Sequence, residues 1–285
     1  MGQRDPYLFA VHFEEGVFGR AWLNDLPVHK VYTHGPRSMT GGANHLLVPG
    51  ENRLTLEILT FPEGVPPPPP PPPPPSSSET SAPPPKRVEV MPAGMKIYQV
   101  RDASTDPVTI DAVVNVELPA ALGLKTWERP PLPLYHEVTF ALPFPVTEPV
   151  YWHAPPAEFP CTGTPALVEV VREVHDALLQ RDLARFHALL ELKHASYAAA
   201  FPGEPSASLD RQRAASERFF GLRYLVKPLD LTRVHFQPRA GGRVAYVSGW
   251  DDAPVLEAVC ETEPGLSLRA NLLLTQHDGR WRVFG

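Results

Sequence analysis

Cysteine is nearly missing from this chain. The only two, Cys161 and Cys260, stand far apart and form no C-x-x-C pair. A disulfide-stapled scaffold is excluded, and two lone thiols fit a reducing compartment, so a cytoplasmic protein is expected. Long apolar runs are missing too. Nothing approaches 18 consecutive apolar residues, and no membrane span is expected. The opening Met1 to Glu15 holds no secretory h-region, because its apolar run is broken by His12 and stopped by Glu14 and Glu15. Gly2 would suit myristoylation, but Pro6 stands where that motif takes Ser or Thr. There is no excess of positive charge. With 26 basic and 32 acidic residues the net charge is −6, which argues against a protein built to coat nucleic acid or an anionic membrane. Phosphate-binding glycine loops and a G-x-S-x-G elbow are absent, and Gly41-Gly42 and Gly241-Gly242 read as turn glycines. The 11 histidines contain no H-E-x-x-H. His187 and His194 lie two helical turns apart, and His29 and His34 fall on opposite faces of a strand, so neither a metal nor another cofactor is expected.

Proline is what the chain has in excess. Of 37 prolines, 14 fall between Pro62 and Pro85, ten of them consecutively from Pro66 to Pro75. Residues 64–86 read as a polyproline II rod with a flexible serine-containing tail. Strand-like text on both sides (Arg53 to Leu59, Arg87 to Val100) makes this an insertion within a domain rather than a linker. Such a rod suits SH3- or WW-type grooves, and an expanded surface loop is the plainer alternative. The whole chain is 43% hydrophobic over its 285 residues, enough for two ordinary domains.

Residues 6–148 carry a period of two. Expected strands are Tyr7 to Phe13, Val17 to Asn24, Pro27 to Thr33, His45 to Val48, Arg53 to Leu59, Arg87 to Val90, Lys96 to Arg101, Val108 to Glu117 and Tyr135 to Leu142. Asn24-Asp25 signals a hairpin turn. Short strands with turn punctuation predict an all-β antiparallel sandwich over 1–148, followed by a proline- and aromatic-rich connector at 149–162. The segments FGRAWLNDLPVHKVYTHGP and ANHLLVPGENRLTLEI resemble the jelly-roll, galactose-binding-like domains attached to many glycosidases. In those, a W-x-N turn precedes a P-G-x-N turn into an alternating strand; in this sequence Pro49-Gly50 suits a tight turn, and Asn52 can bond its own backbone before the strand begins.

The pattern changes at Thr164, which caps a helix with Pro165 at its first position. Leu167, Val170, Val171, Val174 and Leu178 follow as one apolar stripe. Asp182 caps a second helix, and Ser208 a third running through Phe219 and Leu222. After Pro228 the period returns to two (229–237, 243–250, 255–261, 267–276, 280–284), giving an α+β domain over 163–285. Helices first and a closing D-G-x-W-x-V hairpin resemble the NTF2-like (cystatin-like) superfamily, whose α+β cone is open at one end. That resemblance implies a pocket among inward polar residues. His175 borders the buried stripe and is the candidate base, with Tyr246, Trp250, Arg269 and Asn271 as pocket candidates; a dehydratase or isomerase would use such Tyr or Asn donors to hold an oxyanion. No carboxylate is convincingly placed: Asp230 stands at a strand start, and Asp251-Asp252 falls in a turn. The acids nearest His175 in sequence, Glu173 and Asp176, are expected to point around the helix away from its stripe, so a residual pocket with no catalytic dyad is expected.

The leading expectation is a non-catalytic binding protein with a protein partner, an immunity or adaptor protein of a bacterial toxin or secretion system being a special case. An acidic first half (11 basic and 17 acidic residues over 1–160, against 15 and 15 beyond) accords with it. The alternatives are an NTF2-like dehydratase, isomerase or cyclase with an accessory sandwich, and a carbohydrate-binding protein using Trp22, Trp127 or Trp152 as stacking platforms.

Overall fold

Alternating apolar residues between positions 7 and 141 build eight strands: β1 (Tyr7–Phe13), β2 (Phe18–Leu23), β3 (Leu26–Val31), β4 (Ser38–Gly42), β5 (Glu51–Thr60), β6 (Ala93–Asp102), β7 (Thr109–Leu118) and β8 (Leu134–Ala141). The computed structural model describes residues 7–31, 37–60, 93–102, 109–118, 120–123, 132–201, 205–263 and 265–285. The proline-rich insertion, the strand expected at 87–90, Gly2, Pro6, His34 and Trp127 lie outside them. The strands form two antiparallel four-stranded sheets, in the orders β4-β1-β6-β7 and β3-β2-β5-β8. Tyr7, Phe9, Val11 and Phe13 from one sheet meet Ala21, Leu23, Leu54, Leu56 and Ile58 from the other in the buried interior.

The two sequence turns are one structure. Asn24 and Asp25 take left-handed φ of 52° and 66°, the conformation a two-residue hairpin between β2 and β3 requires. Asn24 Nδ2 donates to Asn52 Oδ1 at 2.8 Å, and Asn52 bonds both the N–H and the carbonyl of Val48. Those bonds hold residues 43–50 as turns, which is why the strand expected at 45–48 does not form; Ser38–Gly42 pairs with β1 instead.

The second domain opens with α1 (Pro165–Leu179), α2 (Leu183–Leu189), α3 (Glu191–Ala200) and α4 (Pro205–Gly221). Thr164 Oγ1 accepts from Leu167 N, and Asp182 Oδ1 accepts from Arg185 N, as their capping positions require. The third helix, α3, was not expected from the pattern. Strands β9 (Tyr224–Val226), β10 (Val234–Arg239), β11 (Val244–Gly249), β12 (Leu256–Cys260), β13 (Ser267–Ala270), β14 (Leu272–His277) and β15 (Arg280–Val283) follow. They form sheets in the orders β10-β11-β14-β15 and β13-β12-β9, which meet where Asn271 separates β13 from β14. The chain is thus a two-domain protein, an antiparallel β-sandwich followed by an α+β domain.

The buried side chains fall into two clusters. Leu167, Val171, Val174, Leu178 and Phe186 from the helices pack on Ala245, Val247, Leu272, Leu274 and Val283. The intervening residues Val244, Tyr246 and Leu273 turn the other way, into the cluster of the sandwich, together with Phe284 and Leu192. The β10-β11-β14-β15 sheet is therefore covered on both faces, by helices on one and by the first domain on the other. This explains why nearly every side chain of β11 and β14 is buried. The connector is stitched to both sides: Tyr151 donates to the Leu46 carbonyl and packs against Phe284 with tilted rings, while Ala157 N donates to Gly242 O.

Candidate functional site

Tyr246 and Asn271, two of the expected pocket residues, do meet. Asn271 Nδ2 donates to Tyr246 Oη at 2.6 Å, and Asn271 Oδ1 accepts from Val255 N at 3.1 Å, which ties the bend between β13 and β14 to the residue leading into β12. The Tyr246 hydroxyl donates onward to Asp252 Oδ1 at 2.5 Å. Asp252 lies in the Trp250–Asp252 turn with φ of +61°. Its carboxylate is only 6% exposed. Sequence reasoning passed over this residue as a turn acid.

The charge that holds Asp252 comes from the other domain. Arg20 on β2 is the register neighbour of Lys30 on β3 and of Glu57 on β5. Two cations directly across a strand pair repel unless carboxylates divide them. Glu57 lies 3.5 Å from Arg20, and Asp252 supplies the second carboxylate, 3.5 Å from Arg20 Nε and 3.7 Å from Lys30 Nζ. Lys30 also donates to the Asp252 main-chain carbonyl. Burial pulls the Lys30 ammonium below the ordinary lysine range, Asp252 pulls it back up, and Arg20 adds to the lowering. Beside this network Trp22 meets Tyr246 edge-on with ring centroids 6.2 Å apart, and the Arg239 guanidinium lies 4.4 Å over the Trp22 ring. Arg239 Nη1 reaches Asp25 Oδ1 at 3.1 Å. Trp22 is thereby buried between the domains, which corrects its expected place as a surface platform.

A second contact joins the domains through α3. Asn44 accepts from Tyr7 N and donates to Ala200 O, satisfying a carbonyl at the end of that helix. His45 packs against Tyr197 and Phe201, with centroids 5.6 and 6.3 Å away, and its Nδ1 is buried with no hydrogen-bond partner among the described residues. Burial, with Lys193 nearby, pushes the His45 pKa down to about 4.

The remaining expected residues lie elsewhere. Trp250 is 54% exposed and meets His235 edge-on. Arg269 is exposed, bound to Glu257 at 3.1 Å. Arg269, Asn271 and Leu273 alternate on one side of the chain, but only the last two are covered by the sandwich network. His175 faces away from all of them: its Nε2 lies 3.1 Å from the Lys227 carbonyl, in a groove between α1 and residues 226–231. Its Nδ1 lies 3.7 Å from Asp176 Oδ1, so the acid expected to point away from it lines the same groove. The space between helices and sheet is filled by Phe186, Phe219, Phe220, Tyr224 and Phe236.

Among the described residues no helix is long and apolar enough to cross a membrane, and no three His, Cys, Asp or Glu side chains are gathered to hold a metal ion. Comparison of the chain with protein-family models, with curated proteins and with solved structures gave no match.

Proposed function

We propose that the protein is a non-catalytic binding protein whose two domains act as one interaction surface, with an immunity or adaptor role in a bacterial toxin or secretion system as its special case. Two of the polar residues that an NTF2-like enzyme would aim into its cone, Tyr246 and Asn271, are spent here on joining the domains, and an aromatic plug fills the space under α1. The observation that carries the reading is the open half of the curved sheet. The sandwich covers that face over β11 and β14 and leaves it bare over β9 and β12, where the register neighbours Leu225 and Val259 are 62% and 38% exposed. Glu257 serves both Lys227 (2.7 Å) and Arg269 (3.1 Å), so one carboxylate answers two cations. An apolar pair beside uncompensated positive charge suits a protein partner bringing an apolar anchor flanked by carboxylates.

Supporting the finer fold readings, β4-β1-β6-β7 over β3-β2-β5-β8 is the neighbour pattern of a jelly roll entered at its third strand. Helices preceding a bent meander accord with an NTF2-like second domain. Neither implies a reaction. The test is purification from the native cell of a partner that Leu225→Glu and Lys227→Glu each release, followed by reconstitution from the two pure proteins. Binding should weaken at least about tenfold in each variant and with added salt. A partner held equally by both variants refutes the assignment of this face.

A further inference from the structure

The groove beside His175 has a chemistry the binding-protein reading does not use. It has a volume of about 420 Å³ and runs between the α1 residues Arg172, His175, Asp176 and Leu179 and the segment carrying Val226, Pro228, Leu229 and Leu231. One side is thus apolar and the other is set by the helix. The Lys227 carbonyl can only accept, so His175 Nε2, 3.1 Å away, carries the proton of the neutral ring. Nδ1 is left as a lone-pair acceptor. It faces Asp176 Oδ1 at 3.7 Å. Two acceptors therefore stand side by side at the groove, with no proton of the neutral ring between them. The charges around them agree. Arg172 is engaged by Glu169 at 3.7 Å, and Glu173 by Arg185 on α2 at 3.9 Å, and among the described residues Asp176 is the one carboxylate that lines the groove.

We propose that this groove is a binding site for a small apolar primary amine. The ammonium donates one N–H to Asp176 Oδ1 and one to His175 Nδ1, spanning the 3.7 Å between them, while the alkyl or aryl body lies on Leu179, Val226, Leu229 and Leu231. A carboxylate ligand would meet the Asp176 charge, and an alcohol could donate to only one of the two acceptors. Selectivity for the cation is thus built from the pair rather than from either side chain alone.

The experiment uses the full chain and three probes on one five-carbon skeleton: isoamylamine, isoamyl alcohol and isovalerate. Amide chemical shifts are followed by NMR during titration. The amine should give saturable shifts in α1 and residues 226–231, half-complete at about 1 mM, and the other two should give none there. Asp176→Asn should weaken the amine about tenfold or more, and His175→Phe several-fold, the native spectrum elsewhere showing that each variant is folded. Glu263→Gln, at a carboxylate remote from the groove, should leave binding unchanged. Equal shifts from all three probes, amine shifts confined to other surfaces, undiminished binding by Asp176→Asn, or no saturation by about 20 mM would each overturn the proposal.

Discussion

Replacing Asp252 is the sharpest probe of how the two domains are held. Asp252→Ala removes an acceptor of the Tyr246 hydroxyl and a carboxylate that separates Arg20 from Lys30. Stripping one partner from a buried ion pair costs about 3–5 kcal/mol, because the remaining charge stays desolvated. Arg20 keeps Glu57, and both cations remain 26% exposed, so the low end, about 3 kcal/mol, is expected. Asp252→Asn should cost less, about 1–2 kcal/mol, since Asn tolerates the left-handed φ and still accepts from Tyr246. The decisive measurement is a double-mutant cycle of Lys30→Met with Asp252→Asn, read by urea unfolding with tryptophan fluorescence, Trp22 reporting from the interface. A coupling above about 1 kcal/mol is expected across the domain boundary. If the two costs add within about 0.5 kcal/mol, the cross-domain pair contributes nothing of its own and the reasoning fails.

Acid should loosen the α3 contact. His45 is held neutral in the folded protein with a pKa of about 4, below its ordinary 6.5, so its contribution is whole above pH 6.5 and is lost as the pH falls toward 4. The loss is about 3 kcal/mol, and in His45→Phe the melting temperature should fall less steeply over that interval; an unchanged pH profile would count against it. Gly163 has φ +75°, and a Cβ there would stand 2.7 Å from the Phe236 ring, so Gly163→Ala should destabilise by about 2–3 kcal/mol in chemical denaturation. Deleting residues 66–85 shortens a connection between β5 and β6 and should move the melting temperature by less than about 5 °C; a larger drop would mean that the segment packs on something.

What the sequence made legible was much of what is decided locally, though the strand expected at 45–48 is a turn and α4 begins at Pro205, ahead of the cap expected at Ser208. Period-two stretches became strands, Thr164 and Asp182 capped their helices, and Asn24 and Asn52 turned out to be bonded to each other because each was already a turn signal. The α3 helix escaped because its apolar stripe is short and it follows α2 with only Leu190 between. The site escaped for a different reason. Alternation in β11 shows that Tyr246 and Ser248 share a face, yet with apolar residues on both faces it cannot say which one meets the helices. Asp252 had one available signal. The Asn24-Asp25 hairpin brings Arg20 opposite Lys30, and Glu57 alone leaves such a pair short of a carboxylate. Which of the distant acids supplies it is a tertiary matter.

The sheet covered on both faces also bears on the order in which the chain takes shape during synthesis. The sandwich has all its strands once Ala141 has emerged, but an apolar patch around Trp22 then waits for Tyr246, Leu273 and Phe284, which are translated about a hundred or more residues later. For several seconds the nascent first half displays an unfinished greasy seat to the cell. A ribosome pausing between positions 141 and 246 would lengthen that interval, and chaperone occupancy should rise and fall with it.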